Sequence, residues 1–315
     1  MRLVFCGSPP FATPILESVI ASPHRPIAVV TQPERASGRG RRSKASPVAE
    51  LAREAGIELL APASLKEESF RERFAELEPE IALVASYGEL IDRELLAIPE
   101  RGWINVHGSL LPRWRGASPV QAAILAGDPV TGVSIQRVVR RLDAGDVGHA
   151  IETEIGPRET GGELAERLSH LGARAALEAL EQIADGTMNF VPQDKTAITK
   201  CRKLTREDGV LDWSQSASEL DRHVRAMTPR PGALTNLPGG EALKVVSATI
   251  GDSLAGASTP GELRVLESRP AVATGSGSLV LESVQPAGKR VLDAAEWWRG
   301  ARLEDGLVLG SEVQA

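Results

Sequence analysis

Short, nearly unbroken apolar runs, Arg2-Leu3-Val4-Phe5-Cys6, Ile27-Ala28-Val29-Val30-Thr31, Ile57-Glu58-Leu59-Leu60 and Ile81-Ala82-Leu83-Val84, alternate with amphipathic stretches, and Trp103-Ile104-Asn105-Val106 adds a further run. Strands that are apolar on both faces are buried on both, which is the pattern of a parallel sheet covered by helices. The stretches between them read as those helices. Phe11 to Ala21 places Phe11, Ile15, Val19 and Ile20 on one side. Ser46 is an N-cap followed by Pro47 at the first helical position, with Val48, Leu51, Ala52 and Ala55 expected to be buried. The pattern predicts an α/β fold with a Rossmann-type, open, mostly parallel sheet. Thr160-Gly161-Gly162-Glu163 is a capping box, and Leu164, Leu168, Leu171, Ala175 and Ile183 mark a long helix that stops at Asp185-Gly186.

From Thr187 to Arg206 the periodicity disappears, which predicts a linker. A second capping box, Ser216-Ala217-Ser218-Glu219, opens a helix with Leu220, Val224 and Met227 inward. Five short runs follow, at 233–237, 243–250, 261–266, 271–274 and 278–284, separated by glycine-rich turns. That spacing predicts a small antiparallel β-barrel of the OB-like type. The expected organisation is a catalytic domain over 1–186, a linker over 187–206 and a small β-domain over 207–315.

Composition narrows the setting. The chain has 315 residues, 42% of them apolar, enough for a large core without staples. Its two cysteines, Cys6 and Cys201, give neither a disulfide framework nor metal spacing. No stretch approaches the roughly 20 apolar residues of a membrane span, and the first strand begins at the N-terminus, so a cytoplasmic protein is expected. The net charge of −6 opposes non-specific binding of nucleic acid over the whole surface. Against that balance, the segment 35–44 holds five cations, Arg35, Arg39, Arg41, Arg42 and Lys44, and no acid. Mutual repulsion keeps such a segment from settling unless a polyanion organises it, and a phosphate backbone is the natural partner.

The candidate chemistry lies at the end of the last apolar run. Asn105 and His107 are two apart, so in a strand their side chains point the same way. Gly108, Pro112 and Gly116 then forbid a long regular element and leave a loop. In open α/β sheets, ligands bind beyond the carboxyl ends of the strands. Gly7-Ser8-Pro9-Pro10 lacks the glycine fingerprint of dinucleotide binding. A second loop, Leu142-Asp143-Ala144-Gly145-Asp146, offers two carboxylates that sequence alone does not separate. Acid, imidazole and amide together suit proton transfer with stabilisation of a developing negative charge. The compact ligand spacings of zinc motifs are missing, and no metal is expected.

Residues 105–119, Asn-Val-His-Gly-Ser-Leu-Leu-Pro-Arg-Trp-Arg-Gly-Ala-Ser-Pro, with Leu142-Asp143-Ala144-Gly145-Asp146, resemble the core signature of the methionyl-tRNA formyltransferase family. Phe5 to Ala12, Thr31 to Arg35 with the basic segment, and Lys203-Leu204 to Asp212-Trp213-Ser214 leading to Arg225-Ala226 are similar to it as well. The resemblance implies that Asn105, His107 and Asp143 are the catalytic trio and that Ser109, Leu110, Leu111 and Pro112 line a tetrahydrofolate site. It implies a transferase that moves the formyl group of 10-formyltetrahydrofolate to the α-amine of methionine on initiator tRNA. Arg35, Arg39, Arg41, Arg42 and Lys44 would then enter the acceptor-stem region, and the β-domain would bind tRNA. The chain is expected to act as a monomer. Two positions depart from the family pattern: Pro10, where an acid is common, and Glu89, where an aliphatic residue is usual. A formyltransferase acting on a small amine or a formate-releasing hydrolase would share the trio. A pure RNA-binding protein would keep the basic segment without it.

Overall fold

The computed structural model describes residues 1–37, 42–256 and 259–310. In chain order, β1 (Leu3–Gly7) leads to α1 (Thr13–Ile20), β2 (Ala28–Val30), a ribbon of β3 (Arg35–Ser37) and β4 (Arg42–Lys44), α2 (Pro47–Glu54) and β5 (Glu58–Leu60). Then come α3 (Glu68–Glu76), β6 (Ile81–Ala85), α4 (Arg93–Leu96), β7 (Trp103–His107), β8 (Arg115–Gly116), α5 (Pro119–Ala126), β9 (Val130–Arg137), β10 (Val147–Glu154) and α6 (Gly161–Ala184). Seven strands form one sheet in the order β10-β9-β7-β6-β1-β2-β5. The expected Rossmann-type, mostly parallel sheet is present: β7, β6, β1, β2 and β5 are parallel, and β9 and β10 extend it antiparallel at one edge.

The apolar runs explain this layering. Every residue of β1 and β6 is buried. On one face Phe74 of α3 stacks on Trp103 with ring centroids 5.3 Å apart. On the other, α6 crosses β7 at Gly172, where an added Cβ would lie 2.9 Å from the Val106 side chain. Both expected caps form. The Ser46 hydroxyl accepts from the Ala49 N–H at 3.0 Å, and Thr160 and Glu163 bond each other's backbone N–H at 2.9 and 3.3 Å. In α2, Val48 and Ala52 are buried as expected, while Leu51 and Ala55 are half-buried. The basic segment differs from a simple loop: its arms pair antiparallel, with Arg35 opposite Lys44 and Ser37 opposite Arg42.

Two compact units divide the chain. One comprises Met1–Pro119, Val130–Glu154 and Ala165–Cys201, and the other Val120–Pro129, Ile155–Leu164 and Arg202–Ala315. The first includes β11 (Lys200–Cys201), which pairs parallel with β8. In the second, α7 (Ala217–Met227) starts at a complete Ser216–Glu219 capping box. The five expected strands follow as β12 (Ala233–Asn236), β13 (Ala242–Gly251), β14 (Leu263–Leu266), β15 (Arg269–Ala273) and β16 (Ser278–Pro286), with a sixth, β17 (Leu292–Asp293), paired to β16. They make one antiparallel sheet in the order β12-β13-β16-β15-β14. Leu220, Val224 and Met227 of α7 join Leu243, Val245 and Leu281 in its core. Among the described residues, no helix is long and apolar enough to cross a membrane.

Candidate active site

β7 delivers Asn105 and His107 to its carboxyl end, opposite Gln136 and Ser134 of β9. Asn105 is half-buried, and its carboxamide has no hydrogen-bond partner among the described residues. His107 is buried. Its Nε2 lies 2.9 Å from the Trp114 carbonyl, which can only accept, so Nε2 carries the hydrogen. Its Nδ1 faces Asp143 Oδ1 at 3.6 Å. Each ring nitrogen therefore has an oxygen in front of it, Nε2 within hydrogen-bond distance and Nδ1 beyond it.

Of the two aspartates left open by sequence, Asp143 is the one turned to the imidazole. Its Oδ2 accepts from the Gly116 N–H at 2.8 Å and its Oδ1 from Gln136 Nε2 at 2.7 Å. Trp114 and Asp143 both adopt the left-handed region, with φ of 57° and 49°, a conformation that costs non-glycine residues energy and persists where the surroundings fix it. Around Trp114 those surroundings are explicit. Its N–H donates to Thr199 Oγ1 at 2.8 Å while its carbonyl receives His107. Gly116 follows with φ 128°, and a Cβ there would stand 1.8 Å from the Cys201 carbonyl. Only glycine lets β11 approach so closely.

The turn at Ser109 to Pro112 is tied down by two serine hydroxyls, one of its own and one from β9. Ser109 Oγ donates to the Arg113 carbonyl at 2.6 Å, and Ser134 Oγ donates to the Ser109 carbonyl at 2.8 Å while accepting from the Leu111 N–H at 3.0 Å. Leu110, Leu111 and Pro112 are left half-buried. Of the basic set, Arg39 and Arg41 lie outside the described residues, and Arg35, Arg42 and Lys44 occupy the β3–β4 ribbon.

Several residues around the trio escape sequence reasoning. Gln136 and Gln193 bond to Asp143, Thr199 bonds to Trp114, and Ser134 bonds to the turn at Ser109. The signal for Ser134 and Gln136 is their alternation with Val133 and Ile135 in β9. Gln193 and Thr199 lie in the stretch without periodicity, and no pattern marks them. Cys201 is half-buried, and burial, with the Asp143 charge adding to it, pushes its thiol up from the ordinary range. Cys6 is fully buried and pushed up further. Both stay protonated at neutral pH, which suits neither for nucleophilic work. Among the described residues, no group of three or more His, Cys, Asp or Glu side chains could hold a metal ion.

Comparison with known proteins places the chain among the formyl transferases. A formyl transferase model matches residues 1–180, and the model of a formyl transferase C-terminal domain matches residues 203–302. A methionyl-tRNA formyltransferase from Streptomyces griseus is 45% identical over 312 residues, covering 98% of this chain and all of the relative. One from Mycobacteroides abscessus is 43% identical over 304 residues, covering 96% of this chain and 98% of the relative. Among solved structures, an N-formyltransferase from Helicobacter canadensis complexed with folinic acid and dTDP-3-aminofucose superposes with a TM-score of 0.65 at 16% identity, covering 91% of this chain and 99% of that one. HypX from Aquifex aeolicus in complex with tetrahydrofolic acid gives a TM-score of 0.62 at 18% identity over 95% of this chain, which spans about half of it, 47%. At those identities the structural matches speak for the fold.

Proposed function

This chain belongs to the methionyl-tRNA formyltransferase family, and from that premise we propose that Asn105, His107 and Asp143 together carry its chemistry. The chain is a transferase that moves the formyl group of 10-formyltetrahydrofolate to the α-amine of the methionine on initiator tRNA. The observation that supports the trio is the Asn105 carboxamide, without a hydrogen-bond partner among the described residues, beside an imidazole that faces a carboxylate at 3.6 Å.

The folate co-substrate supplies a formyl carbonyl, and the residues present suit it. A free amide donor stands at the strand end, and half-buried Leu110, Leu111 and Pro112 offer apolar surface for a ring system next to it. When the neutral amine attacks, negative charge develops on the formyl oxygen. The Asn105 N–H donors stabilise it from a fixed position, which costs no reorganisation at the moment of reaction. His107 supplies a second donor. Nε2 is held by the Trp114 carbonyl, so Nδ1, at 3.6 Å from its acceptor, is the nitrogen with room to turn to substrate or to a bridging water. Asp143 keeps the ring oriented and can accept the amine's proton through such a water, and the tetrahedral adduct then collapses as the bond between the formyl carbon and the folate N10 breaks, with the proton passing to N10 so that tetrahydrofolate leaves. Neither cysteine takes part.

We assign catalysis to residues 1–186 and tRNA contact to the basic segment and to residues 207–315, joined by the connector 187–206. Ser109, Leu110, Leu111 and Pro112 line the folate site in this scheme. Arg35, Arg39, Arg41, Arg42 and Lys44 meet the acceptor-stem phosphates. Their charge, set against a chain of net −6, supports the assignment. The chain acts as a monomer in the cytoplasm, where its two free cysteines remain reduced. Sedimentation at assay concentration tests the first point.

The test of the function is a partition experiment. The protein is incubated with 10-formyltetrahydrofolate and either methionyl-initiator-tRNA or free methionine, and formylated methionine is measured against free formate. Formylmethionyl-tRNA as the dominant product, with little from free methionine, is the expected result. Formate release that does not depend on tRNA contradicts it.

A further inference from the structure

Two glutamines and a buried arginine that the reaction scheme leaves without a task surround Asp143. Gln136 is buried on β9, and its Nε2 donates to Asp143 Oδ1 at 2.7 Å. Its Oε1 accepts from Gln193 Nε2 at 3.4 Å. The two hydrogens of Gln193 Nε2 are shared among three acceptors, the other two being the backbone carbonyls of Asp143 and Gly145 at 3.0 and 2.6 Å. Gln193 Oε1 in turn accepts from Nε and Nη2 of Arg115 at 3.0 and 2.7 Å. Arg115 is 8% exposed, and this amide oxygen is the hydrogen-bond acceptor its guanidinium has among the described residues.

The chain of bonds runs one way, and its two ends settle the direction. A guanidinium only donates and a carboxylate only accepts. Gln193 must therefore turn its oxygen to Arg115 and its nitrogen inward, and Gln136 must turn its oxygen to Gln193 and its nitrogen to Asp143. Flipping either amide sets like against like at both of its contacts. Serial bonds of this kind polarise one another in a low-dielectric setting, so the positive charge of Arg115 is conveyed towards the carboxylate. The loop carbonyls held by Gln193 flank the residue whose φ of 49° must be kept.

We propose that Gln136 and Gln193 are positioning residues of the transfer reaction, forming a one-way relay from Arg115 that aims the Asp143 carboxylate at His107 and locks its loop. The proposal rests on the assignment of Asp143 to the chemistry. Gln136 and Gln193 act through Asp143, so their loss matters only while that carboxylate is present.

A double-mutant cycle reads this directly. Gln136→Met keeps the side-chain length and removes the donor. It is expected to lower kcat by about tenfold to a hundredfold, as for other groups that orient a reacting residue, with KM for both substrates within about twofold. Gln136→Glu, which sets a second carboxylate against the first, should fall at least as far. Introduced into Asp143→Asn, Gln136→Met should cost nothing further. Gln193→Met run through the same cycle carries the test if Gln136→Met fails to fold. Wild-type kcat in Gln136→Met, or a loss that multiplies with that of Asp143→Asn, overturns the relay while leaving the trio intact. Wild-type turnover in Asp143→Asn alone takes down the assignment beneath it, a separate and recognisable failure.

Discussion

His107 Nδ1 and Asp143 Oδ1 stand 3.6 Å apart, beyond a direct hydrogen bond, with both side chains buried. The separation leaves Nδ1 available to a substrate atom or a water, while the carboxylate is pinned from its other sides by Gly116 and Gln136. The carboxylate is thus tied by two hydrogen bonds and the imidazole by one, at Nε2.

Asn105 offers the cleanest single-residue test, because its carboxamide supports nothing else among the described residues. Asn105→Ala is expected to lower kcat by about 10²–10³ with the melting temperature unchanged. Near-normal turnover removes Asn105 from the mechanism.

Much of this site is legible in the sequence. Asn105 and His107 belong together through strand alternation alone, and β1, β2, β6 and β7 announce themselves as runs buried on both faces. Asp143 was not separable from Asp146 by spacing, because a glycine-containing loop can present either, and the family resemblance had to choose. β9 and β10 were missed. In β9 the buried Ser134 and Gln136 interrupt the apolar run, and β10 is an edge strand whose residues are half-buried or exposed. Gln193 was invisible for another reason. Its partners lie 50 and 57 residues away, and no local pattern encodes such a contact. The basic segment read as a loop by charge repulsion, yet its arms pair as a ribbon in which Arg35 stands in register with Lys44.

The basic segment should act on tRNA and not on folate. Replacing Arg39, Arg41 and Arg42 with alanine is expected to flatten the plot of log affinity for tRNA against log salt by about 0.7–0.9 for each phosphate that is no longer neutralised. Affinity for 10-formyltetrahydrofolate should hold. An unchanged slope makes the segment a bystander.

Cys201 lies beside the site, with Sγ 3.4 Å from the Trp114 carbonyl, yet its raised thiol pKa keeps it protonated. Iodoacetamide at pH 7 should leave turnover intact, and inactivation should set in only as the pH rises above the ordinary thiol range. Cys201→Ala should retain most activity. Rapid inactivation at pH 7 would show a thiolate where burial forbids one.

His223, on α7 of the second unit, has its pKa lowered by burial, partly offset by the Asp208 backbone and charge. A ring that holds its proton less tightly when folded favours the folded state fully above the unfolded value near 6.5. That contribution is lost as the pH falls through 6.5 and the unfolded chain takes up the proton. Wild-type protein should therefore lose more unfolding free energy between pH 8 and 5 than His223→Gln. Equal slopes in urea titrations contradict the assignment.

The most direct test of the catalytic assignment is single-turnover formylation of methionyl-initiator-tRNA by Asp143→Asn at saturating 10-formyltetrahydrofolate. The substitution keeps the shape of the side chain and removes its charge. A fall in the chemical rate of at least about a hundredfold, with tRNA affinity and melting temperature close to wild type, is the predicted result. A rate within a few-fold of wild type would mean that the pair of Asp143 and His107 does not drive the transfer.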